Sequence, residues 1–189
     1  MMMVRNGLQA LLTLLLVVSS ACASAPPNLV PFSQKLVTQY SLSDSNITNL
    51  QYYVSNSIIL QRELSRGDVG VTPGHTLRVV NDKRVEEVVI LPKTPGIALR
   101  MQADGNSLET SFEEGKNLIF CTLRSNGGHG DLFRLCGQEW DGLVLKVDYG
   151  GLRYGTVGPS ADAYLMIDLN NLNNFKKNTR VVKGRRLPS

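Results

Sequence analysis

The sequence predicts an all-β domain, a β-sandwich or barrel of about ten short strands with a short N-terminal helix. Three observations carry that expectation. From Gln51 onward, apolar and β-branched residues fall in short runs of strand length. Clusters of Gly, Asn, Asp, Ser and Pro separate those runs at fairly even spacing, the texture of a sandwich or barrel. Finally, no apolar run beyond the first twenty-five residues is long enough for a membrane helix, and about 165 residues are enough for one domain with one core.

The elements follow in order. Residues 23–31, ending in the proline-rich stretch Pro26 to Pro31, read as a short tether. Pro31 suits the first turn of a helix, and Phe32, Leu36 and Tyr40 repeat every four residues with Val37 beside them. Ser41 to Asn49 is polar and turn-rich, with Ile47 and Leu50 fit for one helical turn. Strands are expected at Tyr52–Val54, Ile58–Leu60, Thr76–Val80 and Arg84–Ile90, the last two joined by a hairpin turn at Asn81-Asp82-Lys83. Further strands are expected at Ile97–Met101, Leu108–Phe112, Leu118–Leu123, Leu132–Cys136, Leu143–Tyr149, Leu152–Tyr154 and Tyr164–Leu169. Gly150-Gly151 accepts the positive φ of a type I′ turn. The Thr-Pro-Gly triplets at Thr72 and Thr94 read as repeated turn chemistry rather than a repeat architecture. The domain is therefore expected over residues 32–174, with a basic tail over 175–189.

The first residues carry the clearest functional signal. Arg5 gives a positive start, and Leu8 to Val18 is apolar apart from Gln9 and Thr13. Small residues follow from Ser19 to Ala25. That is the layout of an export signal, assigned to residues 1–22. Ser20-Ala21-Cys22 resembles the end of a bacterial lipobox, although Ser19 stands where an aliphatic residue is usual. The resemblance implies that Cys22 is lipidated and anchors the chain to a membrane. It also implies an outer-membrane lipoprotein, because Ala23 and Ser24 lack the acidic residue of inner-membrane retention. Ordinary cleavage after Ala23 is the alternative, leaving the chain periplasmic or secreted.

The net charge of +4 is unevenly spread. Lys176, Lys177, Arg180, Lys183, Arg185 and Arg186 form an acid-free tail, whereas Cys22 to Phe175 holds thirteen bases against sixteen acids. Such a tail can contact an anionic envelope surface, or it can simply be a solvated terminus. Nucleic acid fits its charge but not an exported compartment. Cys121 and Cys136 flank the turn-rich Ser125 to Asp131. Outside the cytoplasm they can form a disulfide; the alternative is two buried thiols on neighbouring strands.

Candidate chemistry is sparse. The two histidines, His75 and His129, have no recognisable metal-ligand spacing around them, and no metal or cofactor is expected. His129 with Asp131 and Ser125 reads as one turn's polar residues rather than a catalytic triad. Glu86 and Glu87 interrupt a strand, so one should point inward unless a bulge intervenes; the alternative is a strand end with solvated charge. Glu113 and Glu114 fall at a turn and are expected in solvent. Trp140, Tyr149 and Tyr154 can stack on sugar rings or fill a core. These features favour a non-enzymatic envelope lipoprotein that contacts another envelope protein or a surface polymer. A carbohydrate- or small-ligand-binding β-domain is second, with Glu86, Glu87, His129, Trp140, Tyr149 and Tyr154 as weak contact candidates. A hydrolase is third, because no acid, base or nucleophile constellation stands above turn composition.

Overall fold

A computed structural model describes residues 27–65, 71–72, 74–122 and 130–177. They form two antiparallel sheets packed as a β-sandwich. Strands β1 (Leu29–Pro31), β2 (Gln51–Val54), β6 (Pro95–Met101), β7 (Ser107–Glu113), β8 (Lys116–Cys121), β9 (Arg134–Cys136) and β13 (Leu165–Asp168) build the first sheet, in the order β1-β13-β2-β6-β7-β8-β9. The second contains β3 (Ile58–Glu63), β4 (Thr76–Val80), β5 (Lys83–Ile90), β10 (Glu139–Asp141), β11 (Val144–Tyr149) and β12 (Leu152–Thr156), in the order β10-β11-β12-β3-β5-β4. Helices α1 (Gln34–Tyr40), α2 (Asp44–Thr48) and α3 (Leu169–Lys177) are short, and Gly158–Asp162 forms one 3₁₀ turn.

The sheets follow from alternation. Tyr52 and Val54, Ile58 and Leu60, Leu118 and Phe120, and Leu165 and Ile167 are buried, while the residues between them lie nearer solvent. Phe32 anchors one end of this core, stacked on Phe133 at 4.9 Å and edge-on to Tyr52 at 5.2 Å. The Tyr52 hydroxyl donates to the Ile47 carbonyl at 2.9 Å, so the buried ring keeps its polar tip satisfied. Thr110 is the exception on the inner face. It is fully buried, and its hydroxyl has no hydrogen-bond partner.

Turn chemistry fixes the register. Gly150 and Gly151 have φ of 59° and 76° and join Tyr149 to its partner Leu152 in a two-residue turn. Asn81 and Asp82 do the same with φ of 50° and 61°, leaving Lys83 paired with Val80 as the first residue of β5. Gly137 carries the chain between the sheets. A Cβ there would lie 2.3 Å from the Lys146 carbonyl oxygen, so no larger residue fits this crossing without displacement.

The ends of the domain differ from the sequence reading. Leu29–Pro31 is not tether but strand, with Val30 opposite Ile167 and Pro31 opposite Met166. Pro31 thus sits at a sheet edge, where its missing N–H costs no ladder bond. Ser33, not Pro31, starts α1, and its hydroxyl accepts the Leu36 N–H at 3.2 Å. At the other end, the asparagine-rich stretch is helical. Asp168 accepts the Asn170 N–H at 3.0 Å, and Leu172 is buried while Leu169 packs against the core. The helix runs to Lys177, past the expected boundary at residue 174. Glu139–Asp141 was expected as no strand but pairs with β11.

Cys121 and Cys136 lie on neighbouring strands β8 and β9, with Cα atoms 5.7 Å apart, and are joined as a disulfide. The bridge closes a separation of 15 residues. Replacing both cysteines by serine should lower unfolding stability by about 3 kcal/mol, read from urea denaturation. Thr110→Val should act in the opposite direction. It keeps the branched shape, removes a buried hydroxyl without a partner, and should raise the urea midpoint by about 1 kcal/mol in stability.

Candidate functional site

The most unusual group in the sandwich is a buried carboxylate. In β5, Glu86 alternates with Val88 and Ile90 toward the interior and is 0% exposed. Antiparallel pairing sets Arg62 of β3 opposite it, and the Arg62 guanidinium donates to Glu86 Oε2 from Nη2 at 2.6 Å and Nε at 3.1 Å. The Tyr154 hydroxyl, from β12, donates to the same oxygen at 3.1 Å. The other oxygen accepts the Thr72 N–H at 2.8 Å and faces His75 Nδ1 at 2.8 Å. Burial pushes the Glu86 carboxyl up, but the hydrogen bonds from Thr72, Arg62 and His75 outweigh it and hold it down to about 2.

Those contacts extend to the opposite sheet. With Glu86 ionised, His75 Nδ1 carries the proton and Nε2 is left to accept. Nε2 lies 2.7 Å from Lys116 Nζ, the first residue of β8. Lys116 also donates to Glu113 Oε1 at 3.0 Å, and the Tyr149 hydroxyl donates to Glu113 Oε2 at 2.9 Å. Burial pushes the Glu113 carboxyl up, yet Lys116 and Tyr149 bring it below the usual carboxylate range. Burial, together with the Glu113 contact, pushes the Tyr149 phenol up. The Lys116 ammonium lies 5.5 Å over the Tyr149 ring and the Arg62 guanidinium 5.8 Å over Tyr154. Charges and hydroxyls from both sheets therefore form one connected clasp. A cavity of about 300 Å³ opens beside it, lined by His75, Glu113 and Tyr149 at one side and by Val88, Ile90 and Phe112 at the other.

Several expectations change here. Glu86 points inward as strand alternation requires, but it sits in the interior rather than at a solvated strand end. Glu87 faces the other side and is also buried, at 7%, because Arg78 and Gln61 cover it with bonds of 2.9 and 2.7 Å. The two carboxylates diverge. Glu113 is not simply solvated, since the hairpin that carries it folds its side chain onto Lys116 and Tyr149. Tyr149 and Tyr154 are 2% and 1% exposed, so neither offers a ring face to a ligand. They pack edge to face at 6.1 Å and present their hydroxyls to the clasp. Trp140 stands apart from them on edge strand β10, with 62% of its surface exposed. Sequence reading missed Arg62, His75 and Lys116. No local pattern marks them: Arg62 meets Glu86 through strand pairing, and His75 meets Lys116 only where the two sheets face each other. Cys22, His129, Arg180, Lys183, Arg185 and Arg186 lie outside the described residues, as do the side chains of Lys176 and Lys177.

The clasp uses its own groups on one another. Both Glu86 oxygens and both His75 nitrogens are engaged internally, so the arrangement can hold the sheets together but presents no unengaged base. The surface offers a different feature at β4. Among the described residues this strand pairs with β5 alone, and all five of its residues are exposed, including Leu77, Val79 and Val80.

Acid should loosen the clasp. Glu86 titrates near its ordinary 4.5 when unfolded and near 2 when folded, so the unfolded chain binds more protons between those values. Its contribution is complete above about pH 4.5 and is lost as pH falls toward 2, on the order of 3 kcal/mol. Urea midpoints measured from pH 7 to pH 2.5 should fall steeply for the native chain. The decline should be shallower for Glu86→Gln, whose stability at pH 7 is already lower.

No protein-family model matches the chain, and neither a curated protein nor a solved structure matches it significantly.

Proposed function

We propose that this chain is an exported cell-envelope protein, held at a membrane by lipidated Cys22, whose sandwich docks another envelope protein without catalysing a reaction. The observation that carries the docking role is the open edge of β4, exposed along its whole length and rich in valine and leucine. An unpaired strand edge offers a row of backbone donors and acceptors, and exposed apolar side chains add affinity. An extended segment of the partner, adding as a further strand beyond β4, is the occupant that suits this edge. The anchor reading rests on the sequence at Ser20-Ala21-Cys22 and on the apolar run before it. A disulfide suits an oxidising compartment, which agrees with export. Cys22 stands seven residues before Leu29, so an extended connection would hold the sandwich within about 25 Å of its anchor. The basic residues from Lys176 to Arg186 would strengthen that placement against an anionic surface, in a salt-sensitive way.

Two measurements test the reading. Cys22→Ala should move the protein from the detergent phase to the aqueous phase, and a mature N-terminus that is unmodified at Ser24 would refute lipidation. A photo-crosslinking residue at Val79, in intact envelopes, should give one discrete adduct that is absent from the same probe at Leu143. Val80→Lys should abolish the adduct while changing stability by no more than about 0.5 kcal/mol. An adduct of twice the chain's own mass would replace the heterologous partner with a second copy.

A further inference from the structure

A second cleft, of about 420 Å³, lies where the outer face of β7, β8 and β9 meets the β9–β10 crossing and the β11–β12 turn. We infer that it binds a neutral, hydroxyl-rich saccharide. Its volume falls in the range of small-ligand sites. Three planar amides, Gln102, Asn117 and Gln138, converge on it with the hydroxyl of Ser107 and the carboxylate of Asp148. Each amide places a donor and an acceptor side by side, which matches adjacent sugar hydroxyls that both give and take hydrogen bonds. No lysine, arginine or histidine is among the described lining residues, and Arg153 beside the cleft is already engaged by Gln138, Asp148 and Glu139, so a phosphate or a carboxylate ligand would find no unpaired counter-charge there. Ile119, 37% exposed, supplies an apolar patch on the floor for the C–H face of a sugar ring.

The cleft is also preorganised. Gln138 is held between Asp148 and Arg153, its amide donating to the first and its carbonyl accepting from the second. Ser107 donates to Asp104 at 2.8 Å and keeps its lone pairs for a ligand. Asn117 donates one amide hydrogen to Glu109, leaving its carbonyl oxygen available. The Gln102 side chain makes no hydrogen bond among the described residues. Gly137 and the Gly150-Gly151 turn bring bare backbone to the wall, the first because a side chain would strike the Lys146 carbonyl. The Cys121–Cys136 bridge ties β8 to β9 beneath the site. Held in this way, Ser107, Asn117 and Gln138 lose little freedom when a ligand binds.

This inference goes beyond docking at β4 and stands or falls separately. The test is saturation-transfer NMR on the full mature protein in a non-glycosidic detergent. The probes are chitotriose, cellotriose and maltotriose, with glucose 6-phosphate as the charged control. At least one neutral trisaccharide should show saturation transfer, and glucose 6-phosphate should not. Gln102→Ala and Asn117→Ala should each weaken the binding about tenfold, with folding checked by circular dichroism. Val80→Lys should leave it unchanged. Absence of transfer to all three trisaccharides overturns the inference. So does equal binding by both cleft variants, or a preference for glucose 6-phosphate.

Discussion

The structure turns on one carboxylate taken out of water. Glu86 shares the inner face of β5 with Val88 and Ile90, and an ion there is costly unless several donors surround it. Three segments supply them: β3 through Arg62, β12 through Tyr154, and the approach to β4 through Thr72 and His75. Removing one partner from such a cluster costs more than the contact is worth, about 3 to 5 kcal/mol, because a charge is left buried without its complement. The position of β3 beside β5, the path into β4 and the orientation of two tyrosines are all constrained by that requirement.

The same cluster joins the two layers. Hydrophobic packing between sheets tolerates sliding better than a directional bond does, since burial is not directional. His75 links Glu86 in one sheet to Lys116 in the other, and Tyr149 reaches across to Glu113. The first sheet has its own device: β8 and β9 are tied covalently by Cys121 and Cys136. An apolar core around Phe32, Tyr52 and Phe133, an ionic clasp and a disulfide therefore brace different parts of the sandwich.

Function is then left to the surfaces that this bracing does not consume. Both edges of the second sheet are exposed, β4 with Leu77, Val79 and Val80 and β10 with Trp140. The polar cleft lies elsewhere, over β7 to β9, and two of its three amides, Asn117 and Gln138, are held by neighbouring side chains. The proposed docking edge and the proposed saccharide cleft can coexist on one sandwich. Both take their precision from rigid strands beneath them.

What the sequence determined by itself is local. Alternation of apolar residues from Tyr52 to Ile167 establishes an all-β fold, sandwich or barrel, and Gly150-Gly151 and Asn81-Asp82 specify their turns because few other residues accept positive φ. The parity of β5 likewise makes one of Glu86 and Glu87 face inward. The partners of that glutamate were not legible, because Arg62, Thr72, His75 and Tyr154 come from scattered segments and meet only once the strand order is β12-β3-β5-β4. The strand at Leu29–Pro31 was hidden for the same reason: its proline reads locally as a helix start, and only pairing with β13 makes it sheet. Tertiary structure also decided that Glu87 is covered, through Arg78 and Gln61 on the two flanking strands. Alternation records which side a residue faces, but which charges meet there depends on sheet order, and sheet order is set by contacts distant along the chain.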